Sequence, residues 1–414
     1  MKPKSPFEHY LLVVILGSLT AMGPLAHDMY LPSFPAIARE FGATASAVQA
    51  TLAIYFIGLA VGQIVYGPLS DRLGRKGPLL FGLLLFVGAS IGCAVATSVR
   101  ALVMWRLVQS LGGCAGMMVP RAVVRDRFDA RDSIHVLSLL MLVMGLAPIL
   151  APLAGGQLLV AFGWRSIFLA LAGYATLGSA AVSLLLPESL APERRRRDTL
   201  GKVFSVYATL LRDRIYMAYI VSGGLIFAGM FAYIAASPFV FIELFHVAPE
   251  RFGLFFGTNA VGLIAASQIN GRLARRVNPR TILRVVLPMA AVAGLALLVS
   301  ASTGAGGFPG ILVPLFVFVA SLGFVSPNTT ALAMAPHGQV AGSASALLGT
   351  VQFLLGAGAA SLAGALGSGT AVPLGVVVAG CGCSAFLIHQ TAPRVPPLTH
   401  APQPSPAGAA RFRS

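Results

Sequence analysis

The chain has 414 residues, 57% of them hydrophobic and only 10% charged, with a mean hydropathy of +0.83. Soluble domains carry about 25% charged residues, so an ordinary globular protein is excluded and most of the chain must face lipid. The net charge of +16 would suggest nucleic acid in a soluble protein, but the basic residues gather in short links between apolar runs, a topogenic pattern rather than a binding face.

The N-terminus places Lys2 and Lys4 before the apolar "YLLVVILGSL". No small-residue cleavage site leads into polar mature sequence, so this reads as a first membrane helix and not a signal peptide. A span needs about 20 apolar residues. Six spans are expected at 10–31, 48–69, 77–98, 101–123, 135–161 and 165–186. A polar link, 187–214, follows, and six more spans are expected at 216–243, 252–272, 281–301, 309–332, 341–366 and 371–391. The tail from residue 393 is rich in Pro and Ala and reads as disordered. The expected fold is an all-α membrane protein of about 12 transmembrane helices in two pseudo-symmetric six-helix bundles. Residues 1–186 would form the first bundle, 187–214 a cytoplasmic linker, 215–392 the second bundle and 393–414 the tail.

Lys and Arg concentrate after spans two, four, six and eight, as Arg72, Arg75 and Lys76, Arg125, Arg127 and Arg131, Arg194 to Arg197, and Arg272, Arg275, Arg276 and Arg280. That asymmetry predicts both termini in the cytoplasm. The two halves also echo each other. "GPLSDRLGRK" (67–76) follows span two and "GRLARRVNPR" (271–280) follows span eight, with the spacing of Gly67, Leu69 and Arg72 recurring as Gly271, Leu273 and Arg276. Internal repeats of this kind build many secondary transporters, with the substrate site between the halves. The four cysteines, Cys93, Cys114, Cys381 and Cys383, sit inside apolar runs and lack companion metal ligands, so neither a metal nor another cofactor is expected.

Three stretches carry chemistry. In "GPLSDRLGRK", Gly67 would let two helices approach, Gly74 would permit a tight turn, and Asp71 is placed to meet a helix N-terminus. In span four, "RLVQSLGGCAG" (106–116) sets Arg106 and Gln109 within the membrane. A charge there costs at least about 2.5–3.5 kcal/mol on insertion scales, so Arg106 either faces the bundle interior or snorkels to the near surface. In span five, "GLAPILAPLAGG" (145–156) combines Pro148 and Pro152 with Gly155 and Gly156, which bend a helix and let others pack closely.

These stretches resemble motifs A, B and C of the major facilitator superfamily. Motif A is matched at Gly67, Leu69, Asp71, Arg72, Gly74, Arg75 and Lys76, and Asp126 would be a further partner of Arg75. Motif B is matched at Arg106, Gln109 and Gly112, with Ser110 replacing its first glycine, and motif C at Pro152, Gly155 and Gly156, with Ala151 replacing a glycine. The resemblance implies that motif A locks the halves in the outward-facing state, that Arg106 takes part in proton coupling, and that motif C marks an exporter. "HDMYLPSFPAIAREFG" (27–42), "RAVVRD" (121–126) and the segment 326–353 further resemble the branch of bicyclomycin and chloramphenicol resistance proteins, in which a Thr often stands at the position of His27.

Asp28 therefore admits two readings: a helix-end residue in interfacial water, or a cavity carboxylate that loads and releases a proton, because desolvation draws carboxyl titration towards neutral pH. Arg106 or a cationic drug would oppose that proton. Tyr30, Tyr55, Gln63, Gln109 and Asn259 are candidate substrate contacts, each with the alternative of bonding across helices. No phosphate-binding Gly-x4-Gly-Lys-Ser/Thr stretch occurs, and no nucleophile–base constellation stands out. The function these features predict is proton-coupled drug export by a monomer in the bacterial inner membrane, with a metabolite exporter or a non-transporting receptor as alternatives. Its expected partners are a small drug, protons and the lipid bilayer.

Overall fold

The computed structural model describes residues 6–195, 200–367 and 369–391. Among them, regular structure is helical throughout. The first half contains α1 (Pro6–Asp28), α2 (Phe34–Phe41), α3 (Ala45–Leu73), α4 (Lys76–Ala94), α5 (Val99–Arg127), α6 (Ala130–Phe162) and α7 (Arg165–Leu185). Beyond it lie α8 (Leu200–Arg212), α9 (Arg214–Pro238), α10 (Pro249–Leu273), α11 (Pro279–Thr303), α12 (Gly307–Met334), α13 (Ala341–Ala365) and α14 (Val372–Thr391). In hydrocarbon every backbone donor and acceptor must be met within the segment, and a helix does this. Polar residues at the starts complete the accounting: Thr44, Ser98, Asp129, Asp213 and Asn278 each accept a backbone N–H of the first turn. Leu84, Leu177, Leu184, Val292 and Val299 lie on the outer, exposed surface, as lipid contact requires.

Among the described residues, eleven helical stretches are long and apolar enough to cross a membrane. One of them, 307–365, is 59 residues long and passes through a 3-10 turn at Ala335–Val340, where His337 leaves helical geometry. It therefore contains two crossings, α12 and α13, and the expected count of about twelve stands.

The packing repeats with an offset of six crossings. In the first half α5 packs on α3 and α4, and α4 on α7. In the second, α12 packs on α10 and α11, and α11 on α14. Two seams join the halves, α3 against α13 and α6 against α10, and the same offset exchanges them. This is the pseudo-twofold arrangement of two six-helix bundles.

One expectation needs correction. The first span does not run unbroken to residue 31: α1 stops at Asp28, and a 3-10 turn, Leu31–Ser33, leads into α2. Pro32 and Pro35, with no backbone N–H to donate, favour such a restart. The link 187–214 contains α8, which packs on α9 and α13 and buries Tyr207 and Leu210. That i, i+3 apolar spacing was present under the polar composition. The expected disorder of 393–414 lies outside the described residues.

Candidate functional site

Three helices hold the centre of the first half together because α5 is lined with small residues. Gly112 backs onto the main chain of Gly82 and Phe86 in α4, and Gly116 onto the Leu19 carbonyl of α1. A side chain at either position would push the helices apart. Arg106 lies about two turns into α5 and is fully buried, which excludes the snorkelling alternative.

Its guanidinium is held without a carboxylate. Nη1 donates to the Ala26 carbonyl at 2.9 Å and to Gln109 Oε1 at 2.5 Å. The guanidinium carbon lies 4.2 Å from the ring centres of both Tyr30 and Tyr55. Such desolvated cation–π contacts contribute about 2 kcal/mol each. The network continues outward, with Gln109 Nε2 donating to Ser90 Oγ at 2.7 Å and the Tyr30 hydroxyl 3.1 Å from Thr51 Oγ1. Arg106 Nε and Nη2 and the Tyr55 hydroxyl have no hydrogen-bond partner.

Asp28 is buried, with 1% of its side chain exposed, so it is not in interfacial water. Arg106, expected as its counter-charge, is not what bonds it. His27 Nδ1 lies 2.8 Å from Asp28 Oδ1. Nothing in the residue pattern around His27 marks it for this role.

The His27 ring opens onto an aromatic cluster that crosses the seam. It meets Tyr55 and Phe56 of α3 and Phe231 of α9 edge-on. The ring centres of Phe56 and Phe231 lie 3.8 Å apart with the planes tilted by 36°, and Phe353 of α13 and Phe227 of α9 complete the cluster. A count of 25 Phe could not say which of them meet. The one available signal was the i, i+4 spacing of Phe227 and Phe231.

The structure thus gathers Asp28, Tyr30, Tyr55, Arg106 and Gln109 around one point. It does not bring Gln63 there, and Asn259 is one hydrogen bond removed, behind the Tyr233 phenol that interacts with Asp28. Gln63 packs against Gly349 at the α3–α13 seam. Asn259 Nδ2 donates to the Tyr233 hydroxyl at 2.8 Å within the second half.

The motif C residues close one face of the molecule. A Cβ on Gly155 would collide with the Met29 carbonyl at the end of α1, and one on Gly156 with the Pro249 carbonyl at the start of α10. Gly253 of α10 answers by approaching the Leu153 backbone. Nearby, the rings of Phe34 and Phe239 stand 6.1 Å apart across the halves. Pro148 and Pro152 lie inside α6, and Ala151, the departure from the motif, is fully buried.

At the opposite, basic face, motif A forms an ion cluster. Arg75 Nε donates to Asp126 Oδ2 at 2.8 Å, and Nη1 to Asp71 Oδ1 at 2.5 Å and Ser70 Oγ at 2.9 Å. Burial works against the Arg75 charge, but Asp126 and then Asp71 outweigh it and hold its pKa above the ordinary value. Asp71 is thus engaged by Arg75 rather than by a helix N-terminus as expected. Gly67 also departs from expectation, since a Cβ there would meet nothing within 4 Å. Gly74 is needed for its backbone, at φ +97°. Arg72 is exposed beside it in the last turn of α3.

The sequence reading missed Glu188. Its carboxylate accepts the backbone N–H groups of Arg75 and Lys76, at 2.8 and 3.2 Å, and of Ser189 and Leu190. Burial raises its pKa, but these four donors outweigh burial and leave it below the usual carboxylate range. An acidic residue just past the last apolar residue of span six was the only sequence signal.

Comparison with known proteins agrees with this architecture. The family model described as Major Facilitator Superfamily matches residues 16–361. The chain belongs to that superfamily. It is 38% identical over 373 residues to the uncharacterized MFS-type transporter YdgK of Bacillus subtilis (strain 168), covering 90% of this chain and 92% of the relative. It is also 31% identical to the bicyclomycin resistance protein homolog of Haemophilus influenzae, covering 90% and 93%. Within the superfamily, these relatives put it with the bicyclomycin and chloramphenicol resistance proteins. A crystal structure of a D-xylose–proton symporter shares the fold, with a TM-score of 0.72 at 15% identity over 92% of this chain and 97% of that one.

Proposed function

We propose that the protein exports drugs across the bacterial inner membrane by alternating access, in exchange for protons. The observation that carries this reading is a buried carboxylate, Asp28, beside an aromatic cluster built from both halves. An apolar aromatic lining suits lipophilic drugs, whereas a sugar would call for a denser polar lining. Residues 1–186 and 215–392 would act as the two moving halves, tethered by 187–214. Each seam, α3–α13 and α6–α10, would open at one end while closing at the other. The tight motif C contacts, set against open space at Gly67, support a conformation whose cavity faces the cytoplasm. Both termini would lie on that cytoplasmic side, and one chain would suffice for transport.

Substrate and proton would compete for Asp28, with Arg106 fixing the geometry around it. The test is drug susceptibility of an exporter-deficient bacterial host carrying wild type, Asp28→Asn or empty vector. The panel would contain chloramphenicol, bicyclomycin and lipophilic cations. Resistance from the wild type that Asp28→Asn abolishes at equal expression is the expected outcome. Absence of resistance to every drug would overturn the efflux reading.

A further inference from the structure

His27 and Asp28 are consecutive in the chain, yet their environments differ. Asp28 is enclosed, whereas 12% of the His27 side chain is exposed. His27 touches the carboxylate through Nδ1 and three rings, Tyr55, Phe56 and Phe231, through its edges. One side chain therefore links the buried carboxylate to aromatic groups from both halves.

The surrounding elements offer few competing charges. From α5, Arg106 is engaged by the Ala26 carbonyl, Gln109 and two tyrosine faces. From α3 and α9 come phenols, Tyr55 and Tyr233, and Tyr30 follows α1 itself. Residues 136–162 of α6 and all of α13 contain no titratable side chain. In α7, Tyr174 is occupied by the Ser18 carbonyl, and the acidic and basic residues of α10, Glu250, Arg251 and Arg272, lie at its two ends.

We propose that His27 and Asp28 hold the transported proton together as one two-site unit, with His27 as the positioning residue that fixes the carboxylate. In its one-proton form the pair is neutral, either imidazolium–carboxylate or imidazole–carboxylic acid. Giving that proton to water leaves a neutral imidazole donating Nδ1–H to an anionic carboxylate. Only N–H and O–H bonds change, and no co-reactant is needed. The pair then has a net charge of −1 in a low-dielectric site, where strongly interacting groups titrate jointly.

The substrate class follows if the efflux reading above holds. A molecule that displaces the His27 ring from its aromatic neighbours takes over an anionic site. It must itself be aromatic and supply a positive charge or a strong donor. A flat, uncharged hydrocarbon would fill the rings but leave the buried carboxylate unpaired.

The test is infrared difference spectroscopy of the reconstituted full-length protein, cycled between acid and alkaline pH without substrate. Asp28→Asn identifies the Asp28 carboxyl band by its loss. In His27→Leu the carboxylate keeps its burial and loses its donor, so its band should appear about one pH unit or more higher. Reciprocally, the imidazole band of the wild type should shift by a similar amount in Asp28→Asn. His27→Asn keeps a donor near the place of Nδ1. It should return the carboxyl band towards the wild-type pH, and the imidazole band that it removes is that of His27. If the leucine variant does not fold, the imidazole shift in Asp28→Asn decides the matter.

An unchanged carboxyl midpoint in His27→Leu, or an unchanged imidazole midpoint in Asp28→Asn, would overturn the proposal. So would a wild type with no band sensitive to Asp28→Asn. Because no drug is present, this outcome is independent of susceptibility. Reciprocal shifts without drug resistance would sink only the efflux reading, and resistance without such shifts only the shared proton.

Discussion

Arg106 is a cation kept inside a membrane protein without a carboxylate to neutralise it. Two tyrosine faces, a carbonyl and Gln109 replace the lost water. Lysine cannot reproduce this, because its ammonium is compact, strongly hydrated and unable to stack as a plane. Arg106→Lys should therefore destabilise the protein by roughly 2 kcal/mol or more. A lower unfolding temperature in detergent and weakened drug resistance would be its signs, and an unchanged unfolding temperature would contradict the account. The residue types at this site were legible in the sequence, since a charge inside an apolar run demands explanation. Their partners were not. Nothing in the spacing of positions 28 and 106 shows that Asp28 turns to His27 while Arg106 turns to Tyr30 and Tyr55.

Among the elements, α6 joins α1 of its own half to α10 across the seam. Gly155 faces α1 and Gly156 faces α10, so adjacent residues on one helix serve two different contacts. Adding bulk at Gly156 must move α6 away from the second half. Overpacking of this kind costs about 1–3 kcal/mol, and 1.4 kcal/mol changes an equilibrium tenfold. Gly156→Val should thus raise the share of molecules open at that face by about tenfold. The check uses Ser33→Cys, a buried position just after α1. A membrane-impermeant maleimide added outside cells should label it faster in Gly156→Val than beside the native glycine; equal rates would refute the idea. The sequence marked α6 by its prolines and glycines. It could not show that the two glycines have different partners, because that depends on how α1 and α10 meet α6.

For the whole molecule, the coupling between halves runs through two seams and one tether. Glu188 fastens the start of that tether to the motif A turn, between Arg75 and Asp126, and Ser189 adds a bond of 3.2 Å to Asp126 Oδ2. Because the folded protein depresses the pKa of Glu188, its contribution to stability is present above the ordinary glutamate value. It is lost as pH falls through the depressed one. Glu188→Gln should therefore unfold at a lower temperature than wild type at pH 7, and the difference should begin to narrow as pH falls to the ordinary glutamate value, about 4, and close below the depressed one. A difference independent of pH would show that shape, rather than charge, matters at this position.

Local chemistry made much of this protein readable in advance. Long apolar runs had to become helices, because lipid leaves the backbone no other partner. Charged links fixed the number of crossings, and the rarity of membrane charges singled out Asp28 and Arg106. These are properties of short segments, and a sequence states them directly. The restart at Pro32, the helix within the linker, the His27–Asp28 pair, the Phe cluster and the Glu188 fastening depended on contacts between segments far apart in the chain or on competition between local signals. Those contacts are set by which helix faces pack together. In a chain where nearly every face is apolar, hydrophobicity alone does not distinguish the faces, so only the assembled bundle decides them.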